Sequence, residues 1–347
     1  MKNQNINFKY LVYFIIFIII GFLIYNYVVK LYSITQTINK VYVNGSPCAM
    51  ITGGARGIGE AYANALLERG YKVVIVDKLN AKETADKFAN KYGLSNIKGI
   101  YCDITDKKSY HNAFIEASNF ANDGILDIII LNAGILTKLF YNTEELIQTN
   151  LLGPIYGTEM YVKQITNGLQ TPSEKQGLIV ITSSKAGIIP FDSDLSPIYN
   201  ASKAGLNQFV RSMEPFATRF NFRINAICPS FVETEMNAPF IKGPLDRIGL
   251  EVFLNTDGRG GIMKPNDLSH VLLRIIDDNS INCQLLAVSK SVGLQGQIVP
   301  YDPCGFLQSM GKWTESQSWI DHEVVNIRMR EMNENIKLNK AHIWSEN

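Results

Sequence analysis

The sequence predicts an α/β fold, a doubly wound parallel sheet in a single domain, preceded by one N-terminal transmembrane helix. Three observations predict it: apolar runs of Val, Ile and Leu alternate with helical patterns from Cys48 onward, a glycine-rich turn follows the first run, and an uncharged apolar segment lies near the N-terminus. Continuous apolar strands are buried on both faces, as in a parallel sheet covered by helices. Repeated βα units then give the doubly wound arrangement.

The N-terminal segment 10–29 carries no charge and is bounded by Lys9 and Lys30. A helix of this length spans about 30 Å, the thickness of the hydrocarbon layer. The apolar run is longer than that of a signal peptide and ends without a small-residue cleavage site. We therefore predict a membrane anchor over residues 1–30 and a single-pass membrane protein.

Three segments follow the anchor: a polar connector over 31–47, a catalytic domain over 48–300 and a polar C-terminal tail over 301–347. Lysines on the two sides of the span nearly balance, so they do not set its orientation. The five cysteines are scattered without a CxxC pair, so we predict buried free thiols, which favour a cytosolic domain attached to the endoplasmic reticulum or a related membrane. The four histidines share no metal-ligand spacing, so no metal site is predicted.

Within the domain, seven apolar runs are predicted strands: 48–52, 72–77, 97–103, 126–134, 177–184, 222–229 and 284–289. Pro154 and Pro215 fall within helical patterns, where a proline costs about 3 kcal/mol, so a kink or break is predicted at each. The stretch 230–260 mixes apolar residues with Pro and Gly after a strand end. It is predicted to be a lid over the substrate, with an ordinary surface loop as the alternative.

The glycine-rich turn "ITGGARGIGEA" over 51–61 follows the first strand and opens a helix, the context of Rossmann-type dinucleotide binding. In such turns the first glycine permits a tight turn, the second lets the backbone approach the pyrophosphate and the third packs helix against strand. Free amides at the helix start receive the phosphates. The predicted cofactor contacts here are Gly53, Arg56, Gly57, Ile58 and Gly59.

Asp77 ends the second predicted strand. A carboxylate at this place binds both hydroxyls of the adenosine ribose and repels a 2′-phosphate, which favours NAD over NADP. A helix N-cap is the alternative role for Asp77, and the two roles can coexist. Arg56 and Lys78 are nearby cations that would soften the preference.

Five motifs occur in the order found in the short-chain dehydrogenase/reductases: "TGGARGIG", "CD" at 102–103, "NAG" at 132–134, "SS" at 183–184 and "YNASK" at 199–203. The sequence resembles this family over roughly residues 45 to 290. Within the family, "LIQTNLLGPIYGT", "SSKAGIIP" and "NAICPSFVET" are similar to the 15-hydroxyprostaglandin dehydrogenases and their relatives.

The resemblance implies a role for each matching residue. Asp103 would bind the adenine, Asn150 would hold a water in a proton relay, and Ser184 would hydrogen-bond the substrate oxygen. Tyr199 would be the catalytic acid/base and Lys203 would bind the nicotinamide ribose. The other implied cofactor contacts are Asn132, Ala133, Gly134, Val232 and Thr234, the last two at the carboxamide end.

The chemistry of the Tyr-Lys pair is consistent with these roles. A free tyrosine has a pKa near ~10, and a nearby ammonium and the positive nicotinamide would lower it. Residues four apart share a helix face, so Lys203 can lie beneath Tyr199. Ser184 precedes Tyr199 by a longer spacing than the family pattern, so the intervening loop is predicted to bulge and Ser183 is an alternative for the hydroxyl role.

The predicted function is therefore NAD-dependent oxidation of a secondary hydroxyl on a hydrophobic, lipid-like substrate, with hydride transfer to NAD. The alternatives are an NADP-dependent carbonyl or steroid reductase and a catalytically silent nucleotide-binding scaffold. A net charge of +1 without a basic block argues against nucleic acid as a partner. The expected partners are a hydrophobic small molecule and the membrane, and the resemblance also allows a homo-oligomer.

Overall fold

The computed structural model describes residues 13, 21, 25–26, 45–137, 141–189, 197–238, 247–248, 250, 261–291 and 293–299. The predicted span 10–29 lies outside these residues apart from four positions, as do most of the connector, most of the predicted lid and the tail 301–347. Over the described ranges, no helix combines the length and apolar character needed to cross a bilayer.

In the described part of the chain, eight strands form one sheet in the order β3-β2-β1-β4-β5-β6-β7-β8. The first seven run parallel, and the last is antiparallel to its neighbour. The prediction of a doubly wound parallel α/β sheet is confirmed. The strands are β1 Cys48–Thr52, β2 Lys72–Asp77, β3 Ile97–Tyr101, β4 Ile128–Leu131, β5 Gly177–Thr182, β6 Phe222–Pro229, β7 Leu285–Ser289 and β8 Gly293–Ile298.

Helices cover both faces of the sheet, and the sheet separates two apolar cores. Side chains of α3, α5 and α6 pack in one core, and those of α1, α2 and α8 pack in the other. In β1, β2, β4 and β5, alternate residues point to opposite cores, which explains why these strands are continuous apolar runs in the sequence. The helices are α1 Gly57–Glu68, α2 Ala81–Tyr92, α3 Lys107–Ser118, α4 Thr143–Ile147, α5 Gly153–Ile165, α6 Pro197–Ser212, α7 Glu214–Phe220 and α8 Asp267–Asp277.

Both prolines that predicted a break mark a change of helical path. A π-helical turn over Gln148–Leu152 joins α4 to α5, and Pro154 is the second residue of α5. Pro215 is likewise the second residue of α7, which starts two residues after α6 ends. At Pro215 the proline removes no intrahelical hydrogen bond, because the first amides of a helix have no partner there. Pro154 instead lies in a continuous helical stretch, directly after the π-helical turn, and that turn is the irregularity.

The strand β8 was not predicted from the sequence. Its residues "GLQGQI" include two glycines and two glutamines, and most of them are partly or fully exposed at the edge of the sheet. The Arg274 guanidinium on α8 donates to the carbonyls of Gln295 and Gly296, at 3.0 and 2.5 Å. An edge strand held in this way needs few apolar side chains, so its composition resembles that of a loop.

Four cysteines lie in the described part of the chain, and all four are free and buried: Cys48, Cys102, Cys228 and Cys283. This confirms the prediction of buried thiols for these positions. Cys304 lies outside the described residues.

Candidate active site

A cavity of ≈ 480 Å³ opens at the carboxyl ends of the parallel strands. Its wall is formed by the segments that follow β1, β2, β3, β4, β5 and β6. The cavity lies where β1 and β4 are neighbours, the point at which the strand order reverses and where ligands bind in open α/β sheets. Of the residues predicted to form the site, Gly59 and Asn150 lie behind this wall, and all the others line it.

The turn between β1 and α1 requires its glycines. Gly53 and Gly57 have φ angles of +63° and +58°, in the left-handed region. A Cβ on Gly59 would lie 2.1 Å from the Gly53 carbonyl oxygen, and one on Gly53 would lie 2.7 Å from Ala133 Cα. Only backbone therefore fits between α1 and the sheet at this point, which leaves the helix start open to a bound phosphate. These residues fit a dinucleotide.

The carboxylate of Asp77 joins two loops at the floor of the cavity. Its Oδ2 accepts from Ala55 N at 3.1 Å, and its Oδ1 accepts from Leu79 N at 2.9 Å. The helix α2 begins at Ala81 with Asn80 at its N-cap, so Asp77 does not cap that helix. Its carboxylate remains at the cavity wall with lone pairs for two ribose hydroxyls.

Asp103 lies on the same side of the cavity and is held by three hydrogen bonds. Its Oδ1 accepts from Thr105 N at 3.0 Å and Thr105 Oγ1 at 2.7 Å, and Lys78 Nζ lies 2.5 Å from its Oδ2. Partial burial opposes ionisation, but the bonds from Lys78 and Thr105 outweigh it and lower the pKa of Asp103.

The "NAG" segment after β4 is fixed to β1. The hydroxyl of Thr52 accepts from the amides of Asn132 and Ala133, at 3.0 and 3.2 Å, and Asn132 Nδ2 donates to the Gly53 carbonyl at 2.9 Å. Sequence reasoning gave no role to Thr52. The indication was available, because Thr52 ends β1 opposite Leu131, the last residue of the neighbouring parallel strand.

Asn150 is fully buried in the π-helical turn. Its Oδ1 accepts from Ile135 N and its Nδ2 donates to Ile135 O, both at 2.8 Å. The side-chain amide thus pairs with the backbone directly after the "NAG" segment. This pairing fixes the cavity wall at Gly134 and Ile135.

The two adjacent serines after β5 differ in their contacts. Ser183 is buried, and its hydroxyl donates to the Lys203 carbonyl at 3.2 Å. Ser184 Oγ accepts from Ala186 N at 3.1 Å, and the Ser184 side chain is close enough to the Tyr199 phenol to favour its ionisation. The loop predicted to bulge lies partly outside the described residues, since 190–196 are among those left undescribed.

Tyr199 and Lys203 lie one turn apart on α6, and Lys203 Nζ is 5.7 Å from the centroid of the Tyr199 ring. The ammonium of Lys203 is buried and donates to the Thr182 carbonyl at 2.9 Å. Burial lowers the pKa of Lys203 to about 8, although the nearby Cys228 thiol opposes this change. Burial raises the pKa of Tyr199, and the nearby Ser184 side chain opposes that rise.

This direction corrects the expectation that Tyr199 would have a lowered pKa. In the protein without a ligand, the cost of burying a phenolate exceeds the stabilisation from its surroundings. The positive charge that would favour the phenolate must therefore come from a bound group.

The segment after β6 closes the other end of the cavity. Val232 forms a single bridge with Met263, and Asn237 Nδ2 donates to the Val232 carbonyl at 2.8 Å. Thr234 faces the glycine turn, because a Cβ built on Gly57 would lie 3.2 Å from its methyl carbon. Most of the predicted lid lies outside the described residues.

Comparisons with known proteins agree with this geometry. The family model described as short chain dehydrogenase matches residues 47–244. A 15-hydroxyprostaglandin dehydrogenase [NAD(+)] of Bos taurus is 30% identical over 287 residues, which cover 78% of this chain and 100% of the relative. A 3-oxoacyl-[acyl-carrier-protein] reductase of Aquifex aeolicus is 34% identical over 199 residues, which cover 55% of this chain and 75% of the relative. The crystal structure of an NADPH-dependent 3-quinuclidinone reductase from Rhodotorula rubra superimposes with a TM-score of 0.60 at 25% identity, covering 71% and 90% of the two chains.

Proposed function

The chain belongs to the short-chain dehydrogenase/reductase family, whose members are NAD(P)-dependent oxidoreductases acting on CH–OH groups, and on this basis we propose that it oxidises a secondary hydroxyl of a hydrophobic, lipid-like substrate with NAD. One observation carries the proposal: Ser184, Tyr199 and the buried Lys203 line the cavity that also contains the glycine turn, with Lys203 Nζ 5.7 Å from the centroid of the Tyr199 ring. Apolar side chains next to this cluster suit a lipid-like substrate: Ile135, Leu136, Phe231 and Met236.

The chemistry requires a proton acceptor and a fixed substrate oxygen. Bound NAD supplies the hydride acceptor and a positive charge beside the phenol. Ser184 Oγ holds the substrate hydroxyl, and Tyr199 Oη takes the proton from it as the C–H bond gives up its hydride. Lys203 Nζ would bind the nicotinamide ribose, and the positive charge of the bound nicotinamide would favour the phenolate form of Tyr199.

Of the two serines, Ser184 is the better candidate for the substrate contact, because Ser183 already donates to the Lys203 backbone. The role predicted for Asn150, to hold a water in a proton relay, stays a proposal. Its side-chain amide is paired with the Ile135 backbone, so the side chain also fixes that part of the cavity wall.

A substrate screen followed by NADH absorbance tests the proposed activity. Purified full-length protein in detergent is given NAD and a panel of secondary hydroxy-lipids. We expect oxidation by the unmodified protein and a loss of at least about a hundredfold in Tyr199→Phe, because general base catalysis contributes at least that much. NAD binding by Tyr199→Phe is expected to persist.

Tyr141→Phe is the matched control, since Tyr141 is exposed and lies away from the cavity wall. Unchanged turnover in Tyr199→Phe would refute the catalytic assignment. Tight NAD binding without turnover of any compound in the panel would instead support the nucleotide-binding scaffold.

The choice of NAD over NADP rests on Asp77, whose carboxylate faces the predicted ribose position. The relative from Bos taurus is named for NAD(+), which supports this choice. The exposed Arg56 lines the same region and favours the alternative, an NADP-dependent reductase.

Asp77→Ala distinguishes these cofactors. We expect the variant to lose about tenfold in NAD affinity and to gain in NADP affinity, because a lost charged hydrogen-bond acceptor costs about 1.5 kcal/mol or more. Dissociation constants for both cofactors, measured by fluorescence titration, check this. A preference for NADP in the unmodified protein would contradict the NAD assignment.

A membrane location is also part of the proposal. The uncharged segment 10–29 supports it, because its length matches the hydrocarbon thickness of a bilayer. We propose that this segment anchors a cytosolic catalytic domain to the endoplasmic reticulum or a related membrane, where a lipid-like substrate is available.

A further inference from the structure

The adenosine side of the cavity contains a charged residue that the proposed chemistry does not use. Lys78 follows Asp77 directly, at the point where a cation would be expected to contact a 2′-phosphate. In the structure its ammonium is instead directed to Asp103, with Nζ 2.5 Å from Oδ2. Glu145 lies close enough to Lys78 to add to the negative field around it.

The hydrogen bonds to the Asp103 carboxylate leave one of its acceptor sites for a ligand. An ionised carboxylate has about four acceptor sites. Three of the sites on Asp103 are taken by described residues: two on Oδ1 by Thr105, and one on Oδ2 by Lys78. The Asp103 backbone is fixed too, since its amide donates to Ser109 Oγ at 3.2 Å. The acceptor site that remains is on Oδ2, beside the Lys78 ammonium, at the wall of the cavity.

We propose that Lys78 is a positioning residue for adenine recognition, which holds Asp103 Oδ2 so that its remaining acceptor site meets the 6-amino group of the adenine. In this role Lys78 does not bind a 2′-phosphate and does not soften the preference for NAD. The inference rests on the proposed NAD site and adds to it the residue that orients the adenine contact.

The ion pair is unsuited to a role in fold stability. The Lys78 side chain is 57% exposed and that of Asp103 is 23% exposed. Pairs with this exposure contribute little to folding, because water and salt screen them. The contact with Lys78 also fixes the position of Asp103 Oδ2, and this geometric effect does not depend on salt screening. Loss of Lys78 should therefore change which ligand is preferred.

Nicotinamide hypoxanthine dinucleotide provides the test, because it differs from NAD by an oxygen in place of the 6-amino group. We expect the full-length protein to bind NAD more tightly than this analogue. In Lys78→Met, the Kd for NAD should rise about three- to fivefold while the Kd for the analogue changes little. The ratio of the Kd for the analogue to the Kd for NAD therefore falls. Lys78→Arg, which retains the charge, should restore most of the ratio.

Two comparisons separate this role from a general effect of charge. Lys98→Met is the matched control, since Lys98 pairs with Glu116 at 2.9 Å in an exposed site away from the cavity wall. Asp103→Asn should also lower the ratio, and adding Lys78→Met to it should lower the ratio no further, because both changes remove one interaction.

An equal loss of affinity for NAD and the analogue in Lys78→Met would overturn the inference, because it would indicate only a general attraction for the dinucleotide. A greater loss for NADP than for NAD would also overturn it, since Lys78 would then be a phosphate ligand. Failure of the unmodified protein to bind NAD at all would refute the proposed function itself. A bound NAD with an unchanged ratio in Lys78→Met would refute the positioning role alone.

Discussion

At the scale of single residues, burial of the Lys203 ammonium in the site costs free energy of folding. The residue is 4% exposed, and its ammonium donates to the Thr182 carbonyl. A buried ammonium favours its neutral form, because the cavity solvates the charge less well than water does. The protein tolerates this cost at a position where a bound ribose would accept further hydrogen bonds.

This cost predicts a pH dependence of stability. Unfolded Lys203 keeps its proton up to about pH 10.4, whereas the folded form releases it near its pKa of about 8. Between these values the unfolded state binds more protons, so the contribution of Lys203 to stability rises with pH. We expect the free energy of unfolding of the unmodified protein, relative to that of Lys203→Met, to rise between pH 8 and pH 10. The rise should be up to about 1.4 kcal/mol per pH unit.

Denaturant unfolding of both proteins at several pH values measures this difference. Titration of the buried tyrosines and cysteines occurs in both and cancels when the curves are subtracted. Parallel stability curves for the two proteins would contradict a depressed pKa at Lys203.

Residue types could be predicted where chemistry demands them. Tyr199, Ser184 and Asp77 were identified from motifs, and the structure places them in one cavity. Thr52 and Lys78 were not assigned their contacts, because those contacts depend on the pairing of β1 with β4 and on the reach of a side chain across two loops. A sequence motif contains neither the strand pairing nor the position of the second loop.

At the scale of elements, the close approach of α1 to β1 depends on Gly59. In Gly59→Ala the new Cβ would meet the Gly53 carbonyl oxygen at 2.1 Å and Gly54 Cα at 2.8 Å. Both are backbone atoms and cannot rotate away, so the turn must shift. We expect a loss of about 1–3 kcal/mol of stability, typical of overpacking, and a loss of NAD binding.

Gly205→Ala is the control for this change. Gly205 lies inside α6, and a Cβ there would meet Leu151 methyl groups, the nearest at 3.1 Å, which can move. Alanine also raises helix propensity by about 1 kcal/mol, so stability should hold or improve. Calorimetry with and without NAD measures both variants, and equal behaviour would show that Gly59 is not required for the close approach.

Sequence predicted the strong elements and missed the irregular ones. The strands β1, β2, β4, β5 and β7 are largely apolar on both faces, so their composition identifies them. Pro154 indicated an irregularity near the π-helical turn but not its kind. Asn150 in that turn pairs with Ile135, 15 residues earlier, and a local sequence pattern does not contain such a contact. The strand β8 is held by its pairing with β7 and by the hydrogen bonds from Arg274. The sequence "GLQGQI" by itself indicates neither contact.

At the scale of the whole molecule, the anchor and the catalytic domain should be separable. Removal of residues 1–30 leaves every cavity residue in place, since the first of them is Gly53. We expect the shortened protein to leave the membrane pellet and to keep its NAD affinity within about twofold, because no contact to the cofactor is lost. Fractionation after a carbonate wash and NAD titration check the two statements.

Removal of residues 301–347 is the control for fractionation. The tail is polar and contains no run long enough to span a bilayer. Retention of the protein shortened at its N-terminus in the washed pellet would contradict anchoring by the segment 10–29.

The antiparallel direction of β8 decides where the chain leaves the sheet. Without β8 the chain would leave at Ser289, on the carboxyl side where the cavity opens. With it, Cys48 and Ile298 lie on the amino side, five strand spacings apart or about 24 Å. A dye attached through a short linker directly after Ile298 would therefore start from the edge of the sheet opposite the cavity mouth.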